Sequence, residues 1–149
     1  MGETYLDLMD KFEIASNANL KDENIRIGHI IGLGANILNG YSYEHLEGHL
    51  TYLCDCRELN NLFNGIATLI FIEGYKEPNF GFENCVSTPE RTICDFLMYP
   101  EELQKDLWLL DAIEGYYEEY GNFDKVYEML DHFGIPHTEF DEYVEVAEI

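Results

Sequence analysis

Apolar residues recur along this chain in two rhythms, and the rhythms lay out its elements. In residues 3–15, Tyr5, Leu6, Leu8, Met9 and Phe12 give one face of a helix, which the polar Ser16-Asn17-Ala18-Asn19 breaks. Residues 25–38 are apolar and punctuated by Gly32 and Gly34, and they read as a strand followed by a short helix. Residues 42–53 carry Tyr43, Leu46, Leu50 and Leu53 on one helical stripe. The rhythm then changes. Residues 66–73, rich in branched and aromatic side chains and bounded by Gly65 and Gly74, predict a strand, and after a turn at 74–79 residues 80–86 return as a second one. A helix follows at Pro89, and a second over 101–120 with the stripe Leu103, Leu107, Leu110, Ile113, Tyr117 and Tyr120. Gly121 caps it, Asn122 is placed to start a third helix (Phe123, Val126, Tyr127, Leu130, Phe133), and Gly134 with Pro136 stops that one. The last stretch, 136–149, fits either an added edge strand or an acidic arm. Strands followed by a run of helices predict an α+β fold, with a small antiparallel sheet (the hairpin at about 66–86) packed against the C-terminal helices.

The strongest local signal is Ser87-Thr88-Pro89-Glu90-Arg91-Thr92-Ile93-Cys94-Asp95-Phe96-Leu97. With Thr88 as N-cap, Pro89 occupies the first helical position, where its missing N–H costs nothing; with Ser87 as N-cap, Glu90 closes a capping box. Arg91 and Asp95 stand four apart and can pair, and Cys94, on the inner face, is expected to be core rather than a nucleophile. This segment resembles the signature region of the AbiEi-type antitoxins of type IV toxin–antitoxin, abortive-infection systems. The likeness extends over residues 66–135. It implies an antitoxin C-terminal fold and a nucleotidyltransferase toxin as partner, but the basic winged-helix DNA-binding segment usual in that family has no counterpart in the residues ahead of it. On this division the chain is a single domain over 1–149, with a mixed part (1–65), the antitoxin-like part (66–135) and an acidic tail (136–149).

Charge changes the picture most. The 149 residues hold 30 Asp and Glu against 8 Lys and Arg, a net charge of −22. The imbalance deepens along the chain, from −7 over residues 1–75 to −15 over 76–149. With 46% apolar residues, 11 Tyr and 9 Phe, this is the composition of a folded domain and not of an acidic disordered tail. Such a surface repels phosphate backbones and attracts basic proteins, which argues against direct contact with nucleic acid. A plain solubilising surface or a halophilic adaptation would give the same sign. No apolar run reaches the roughly 18 residues of a membrane span, and the acidic N-terminus lacks the basic region of a secretory signal, so a cytoplasmic protein is expected.

Enzymatic motifs are scarce. There is no Walker loop, Gly-x-Ser-x-Gly elbow or His-Glu-x-x-His helix, and Gly32-x-Gly34 lacks the third glycine of a dinucleotide site, so close backbone packing explains it better. One constellation suits a metal. His45 and His49 would share a helix face, and Cys54 and Cys56 follow at once, a mixture of N and S ligands that Zn²⁺ accepts, although Cys-x-Cys is tighter than the usual zinc spacing. The alternative is two surface histidines and two half-buried thiols.

The expectation is therefore a non-enzymatic inhibitor with no obligatory cofactor. It would dock on a basic nucleic-acid-binding protein, either a CRISPR effector nuclease, as the anti-CRISPR proteins of phages do, or a nucleotidyltransferase toxin. The candidate contact residues are the acids on the outer faces of the C-terminal elements: Asp111, Glu114, Glu118, Glu119, Asp124, Glu128, Asp131, Glu139, Asp141 and Glu142.

Overall fold

A computed structural model of the chain describes residues 27–41, 51–54, 68–70, 72, 74–78, 80–83 and 86–149. The predicted helix over 3–15 and the residues His45, His49 and Cys56 lie outside them. Among the described residues the fold is α+β, with five helices and short strands. Strand β1 (Ile27–Ile30) leads into helix α1 (Gly32–Leu38), as the apolar and glycine pattern predicts. Gly32 adopts φ +57, and a Cβ there would stand 3.1 Å from Leu103 Cδ2, so tight packing does account for this glycine.

The sheet changes two expectations. Strand β2 (Thr51–Cys54) occupies the end of the expected helix over 42–53, and Cys54 closes that strand. Strands β3 (Thr68–Ile70), β4 (Phe82–Glu83) and β5 (Val86–Ser87) complete one mixed sheet in the order β3-β2-β1-β5-β4. Among the described residues the two arms of the expected hairpin do not pair with each other. The first arm, β3, pairs parallel with β2 (Tyr52 opposite Leu69), while the second arm folds upon itself as β4 against β5, with Glu83 opposite Val86. The two arms end on opposite edges because β1, which is antiparallel to β2 (Ile30 opposite Tyr52) and parallel to β5 (Ile30 opposite Val86), takes the middle. Ile30, the residue of β1 that pairs on both sides, is wholly buried, as a central position in a sheet requires.

Helix α2 (Pro89–Met98) is the hub that its start signals announce. Thr88 is the N-cap, its Oγ1 accepting the Arg91 N–H at 3.3 Å, and Pro89 opens the helix. The Thr92 hydroxyl donates to Thr88 O at 2.8 Å and lies 2.6 Å from the Ser87 hydroxyl, so Ser87 serves the packing and not the cap. Arg91 through Phe96 are all buried, so this helix has no solvent face along its middle. It is packed by α1, by α3 (Lys105–Tyr120) and by α4 (Asp124–Phe133).

The Arg91–Asp95 pair forms, but inside the protein. Both side chains are 0% exposed, with Nε donating to Oδ1 at 2.8 Å. The other guanidinium nitrogens donate to three carbonyls of one loop: Lys76 O at 2.5 Å, Glu77 O at 3.2 Å and Phe80 O at 3.2 Å. The rings of Tyr75 and Phe133 cover the guanidinium at 4.5 Å and Phe82 flanks it at 5.6 Å. The Tyr75 hydroxyl donates to the second Asp95 oxygen at 2.5 Å, so that both carboxylate oxygens are occupied. Glu77, held in this loop at φ 45, is in a left-handed conformation that costs a residue with a Cβ about 1–2 kcal/mol. The loop is fastened from outside as well, where Phe80 stacks on His132 at 4.2 Å and His132 Nε2 lies 2.8 Å from Glu77 Oε2. One side chain thus ties α2 to the segment between β3 and β4, and that segment cannot close as a tight hairpin turn.

Helix α3 starts at Lys105, after a turn over 101–104, and its buried stripe is Leu109, Ala112, Ile113 and Tyr116, rotated from the predicted one. This helix is apolar on more than one side. The side that carries Ala112 and Gly115 goes inward because small residues allow close approach: the Tyr41 ring lies over Gly115, Tyr41 donates its hydroxyl to Glu119, and Asn36 Nδ2 donates to Trp108 O at 3.0 Å. A Cβ on Gly115 would fall 2.5 Å from Tyr41 Cδ1 and 2.6 Å from Cγ, on the rigid part of the ring. Gly115→Ala should therefore destabilise the protein by about 1–3 kcal/mol in chemical denaturation, despite the roughly 1 kcal/mol by which alanine favours a helix. A gain in stability would contradict the described packing of Tyr41.

The remaining ends follow local rules. Gly121 closes α3 at φ 74 with its N–H on Tyr117 O, and Gly134 closes α4 at φ 70, with Ile135 N–H on Leu130 O and its own N–H on Asp131 O. Phe123, not Asn122, is the N-cap residue of α4, although Asn122 Oδ1 accepts the Asp124 N–H at 3.1 Å. The stretch left open between strand and arm forms helix α5 (His137–Val146), whose Phe140 is fully buried and meets the rings of Phe123 and Tyr127 edge-on at 5.2 and 5.3 Å. Cys94 is 0% exposed, and burial pushes its thiol well above the usual range, as suits a core residue.

Candidate interaction surface

The ten candidate carboxylates lie on α3, α4 and α5, which are consecutive in the chain and share one apolar core. They are not equivalent. Four are engaged within the protein. Glu119 accepts the Tyr41 hydroxyl, Asp131 lies 2.6 Å from His137 Nε2, Glu139 pairs with Lys105 at 2.6 Å, and Asp141 accepts the Tyr127 hydroxyl at 2.5 Å. Burial, then the bond to Asp141, pushes the Tyr127 hydroxyl up to about 12, so it stays protonated and remains the donor. Burial pushes the Tyr41 hydroxyl still further, with Glu119 next in effect. These four carboxylates fasten elements to one another.

Asp111 is half-buried. Glu114 and Glu118 on α3, Asp124 and Glu128 on α4, and Glu142 on α5 are exposed, and their carboxylates have no hydrogen-bond or ion-pair partner among the described residues. Glu114 and Glu118 stand four apart on one helix, as do Asp124 and Glu128 on the next. Like charges at that spacing oppose helix formation by a few tenths of a kcal/mol, so each pair carries a small cost that no contact in the described fold offsets.

The cations of this half are few and partly withdrawn. Residues 101–149 contain fifteen Asp and Glu but only Lys105 and Lys125 as basic residues. Lys105 is engaged by Glu139, whose bond is the largest cause of its raised pKa, and Arg91 is buried on Asp95. Lys76 and Lys125 are exposed. The surface field is accordingly negative, and it is carried on helices held by a packed core, not on a mobile tail.

Sequence reasoning missed one component of this face. Leu107 is 61% exposed, Tyr117 40% and Tyr120 46%, all from the stripe expected to be core. The available signal was the near-continuous apolarity of α3, which supports two stripes and allows just one to be buried.

Of the metal candidates, Cys54 ends β2, and His45, His49 and Cys56 lie outside the described residues, so the shared helix face expected for the histidines has no bearing on the described structure. Among the described residues no group of three or more His, Cys, Asp or Glu could hold a metal ion, and no helix is long and apolar enough to cross a membrane. The described pockets are small. One of 310 Å³ is lined by Leu97, Ile135, Pro136, Thr138, Glu139 and Glu142, and one of 250 Å³ lies beside the head of α2. No family model matches the sequence, and no curated protein or solved structure matches it either.

Proposed function

We propose that this protein is a non-enzymatic acidic inhibitor that docks on a basic nucleic-acid-binding protein and blocks its access to nucleic acid, with a CRISPR effector nuclease as the partner that fits best. The observation that carries this reading is the set of carboxylates on α3 and α4 with no partner among the described residues, Glu114, Glu118, Asp124 and Glu128, fixed on a packed scaffold whose cations are few. Carboxylates spread over neighbouring helices offer a positively charged groove what a phosphate backbone offers it. They also steer the encounter before contact.

The test uses a purified, guide-loaded CRISPR effector nuclease and its labelled target DNA. Wild-type protein should compete with the DNA, and the competition should weaken between 0.1 M and 1 M salt, as the Debye length falls from about 10 Å to about 3 Å. The variants Glu114→Lys/Glu118→Lys and Asp124→Lys/Glu128→Lys change residues with no described internal partner, so circular dichroism should stay unchanged. At least one should lose about tenfold or more in competition, chiefly through a slower association rate. If both remain fully inhibitory, the acidic surface is a solubility device. The antitoxin reading rests on the segment around Arg91, and those side chains are buried in α2, so they build the fold and leave the same outer surface for a toxin. Competition against a purified nucleotidyltransferase toxin in place of the nuclease separates the two partners.

A further inference from the structure

Helix α3 turns outward a row of apolar side chains set beside a row of acids. Leu107 and Tyr117 are exposed and Leu110 is half-buried; they stand three and seven residues apart in sequence, which puts them along one side of the helix. Asp111, Glu114 and Glu118 follow Leu107 by four, seven and eleven residues and run alongside. The inward stripe of the same helix is on the other side, so the outward row is surplus to the core. It is also ordered in advance, since Tyr117 leans on Phe123 at 5.6 Å. Apolar side chains held in water at this exposure, edged by a single sign of charge, match the interface pattern of an apolar centre inside a polar rim.

The charge decides what can lie there. A second copy of this chain would bring −22 against −22, and a nucleic acid would bring phosphates against the acids. A membrane surface of ordinary anionic character is disfavoured on the same ground. We propose that the Leu107–Leu110–Tyr117 ridge is the docking face for an amphipathic helix of the partner that carries Lys or Arg beside its own apolar positions. Its leucine-like side chains would cover the ridge while its cations meet Glu114 and Glu118, the mode in which apolar anchors supply residence and charges supply orientation. This rests on the inhibitor reading and sharpens it, since carboxylates by themselves would accept any basic surface, whereas the ridge selects for amphipathic pattern.

The experiment uses the full chain and two synthetic peptides of about 18 residues. One is a leucine–lysine sequence with helical spacing, and the other is its scrambled isomer of identical charge. Trp108, the single tryptophan, lies half-buried on α3 between Leu107 and Leu109 and reports binding by its fluorescence. The patterned peptide should bind about tenfold more tightly or better than the scrambled one. The variant Leu107→Ser/Tyr117→Ser, at exposed positions, should abolish that preference while keeping the weak, salt-sensitive binding of the scrambled peptide. Equal affinities for the two peptides, or a preference that survives in the variant, would overturn the proposal. So would sedimentation showing a wild-type dimer that the variant converts to monomer, which would assign the ridge to a second copy. Loss of the peptide preference leaves the competition assay with the charge-reversed variants unaffected, so the ridge can fail while the inhibitor reading stands, and the converse is equally visible.

Discussion

Arg91→Ala is expected to remove about 3–5 kcal/mol of folding stability, measured by urea denaturation, against a total of about 5–15 kcal/mol for a domain of ordinary stability. Truncation leaves the Asp95 carboxylate, wholly buried, without its cation, and strands three loop carbonyls that now accept from the guanidinium. The aromatic faces of Tyr75, Phe82 and Phe133 would also close on a void. Arg91→Lys should recover little, since one ammonium cannot reach Asp95 and the carbonyls of Lys76, Glu77 and Phe80 in the planar fork that Arg91 uses. Removing both charges, as Arg91→Met/Asp95→Leu, should recover the share that comes from the uncompensated carboxylate and not the share from the loop. A loss below about 1 kcal/mol for Arg91→Ala, the size of a surface ion pair, would show that the guanidinium does not hold the loop.

Stability should fall as pH rises from about 4 to about 6, the reverse of ordinary acid denaturation. Burial raises the Asp95 carboxyl, Arg91 and then the hydrogen bonds of Tyr75 and Arg91 draw it back, and burial prevails, leaving it at about 6 in place of 3.8. Between those values the folded protein holds a proton that the unfolded chain has released, so folding is favoured at the acid end, and the advantage is lost as pH rises through 6. A difference of about two units corresponds to roughly 3 kcal/mol. Relief of self-repulsion among the surface acids adds the same sign as they are neutralised. Asp95→Asn separates the two: it should flatten the slope between pH 4 and 6 by about the Asp95 share, whatever its absolute stability, and leave the contribution of the surface acids. A wild-type melting temperature that climbs from pH 4 to pH 6 would refute the assignment.

Several features of this protein were legible in short stretches of sequence, because each is settled by a few consecutive residues. Thr88 and Pro89 fix the head of α2 through one hydrogen bond and one dihedral angle. Gly121 and Gly134 fix the ends of α3 and α4 because the backbone there is left-handed. The stripe Val126, Leu130 and Phe133 of α4 appears as the spacing predicts, since that helix has one apolar side and therefore one way to face the core. Residues 136–149 offered the same kind of signal, since Phe140, Tyr143 and Val144 stand at helical spacing, but neither the edge strand nor the arm expected there drew on it.

What the chain does over longer distances was open until the tertiary structure closed it. Residues 66–73 and 80–86 carry good strand chemistry, but strand chemistry does not name a partner, and β1 enters between them. Helix α3 offers two apolar sides, and the choice fell to the one where Gly115 admits Tyr41 closely and Ala112 is buried. Arg91 and Asp95 are four apart on any helix. Whether that pair is a weak surface bridge or a buried hub depends on where the loop from Tyr75 to Phe82 lies, and the loop comes from elsewhere in the chain. Net charge was fixed by composition, but which carboxylates remain available was not: Glu119, Asp131, Glu139 and Asp141 are taken by Tyr41, His137, Lys105 and Tyr127, and Glu114, Glu118, Asp124, Glu128 and Glu142 are left without a partner among the described residues. A hydrogen bond needs two groups within about 3 Å, and for Tyr41 and Glu119, 78 residues apart in sequence, folding alone sets that distance.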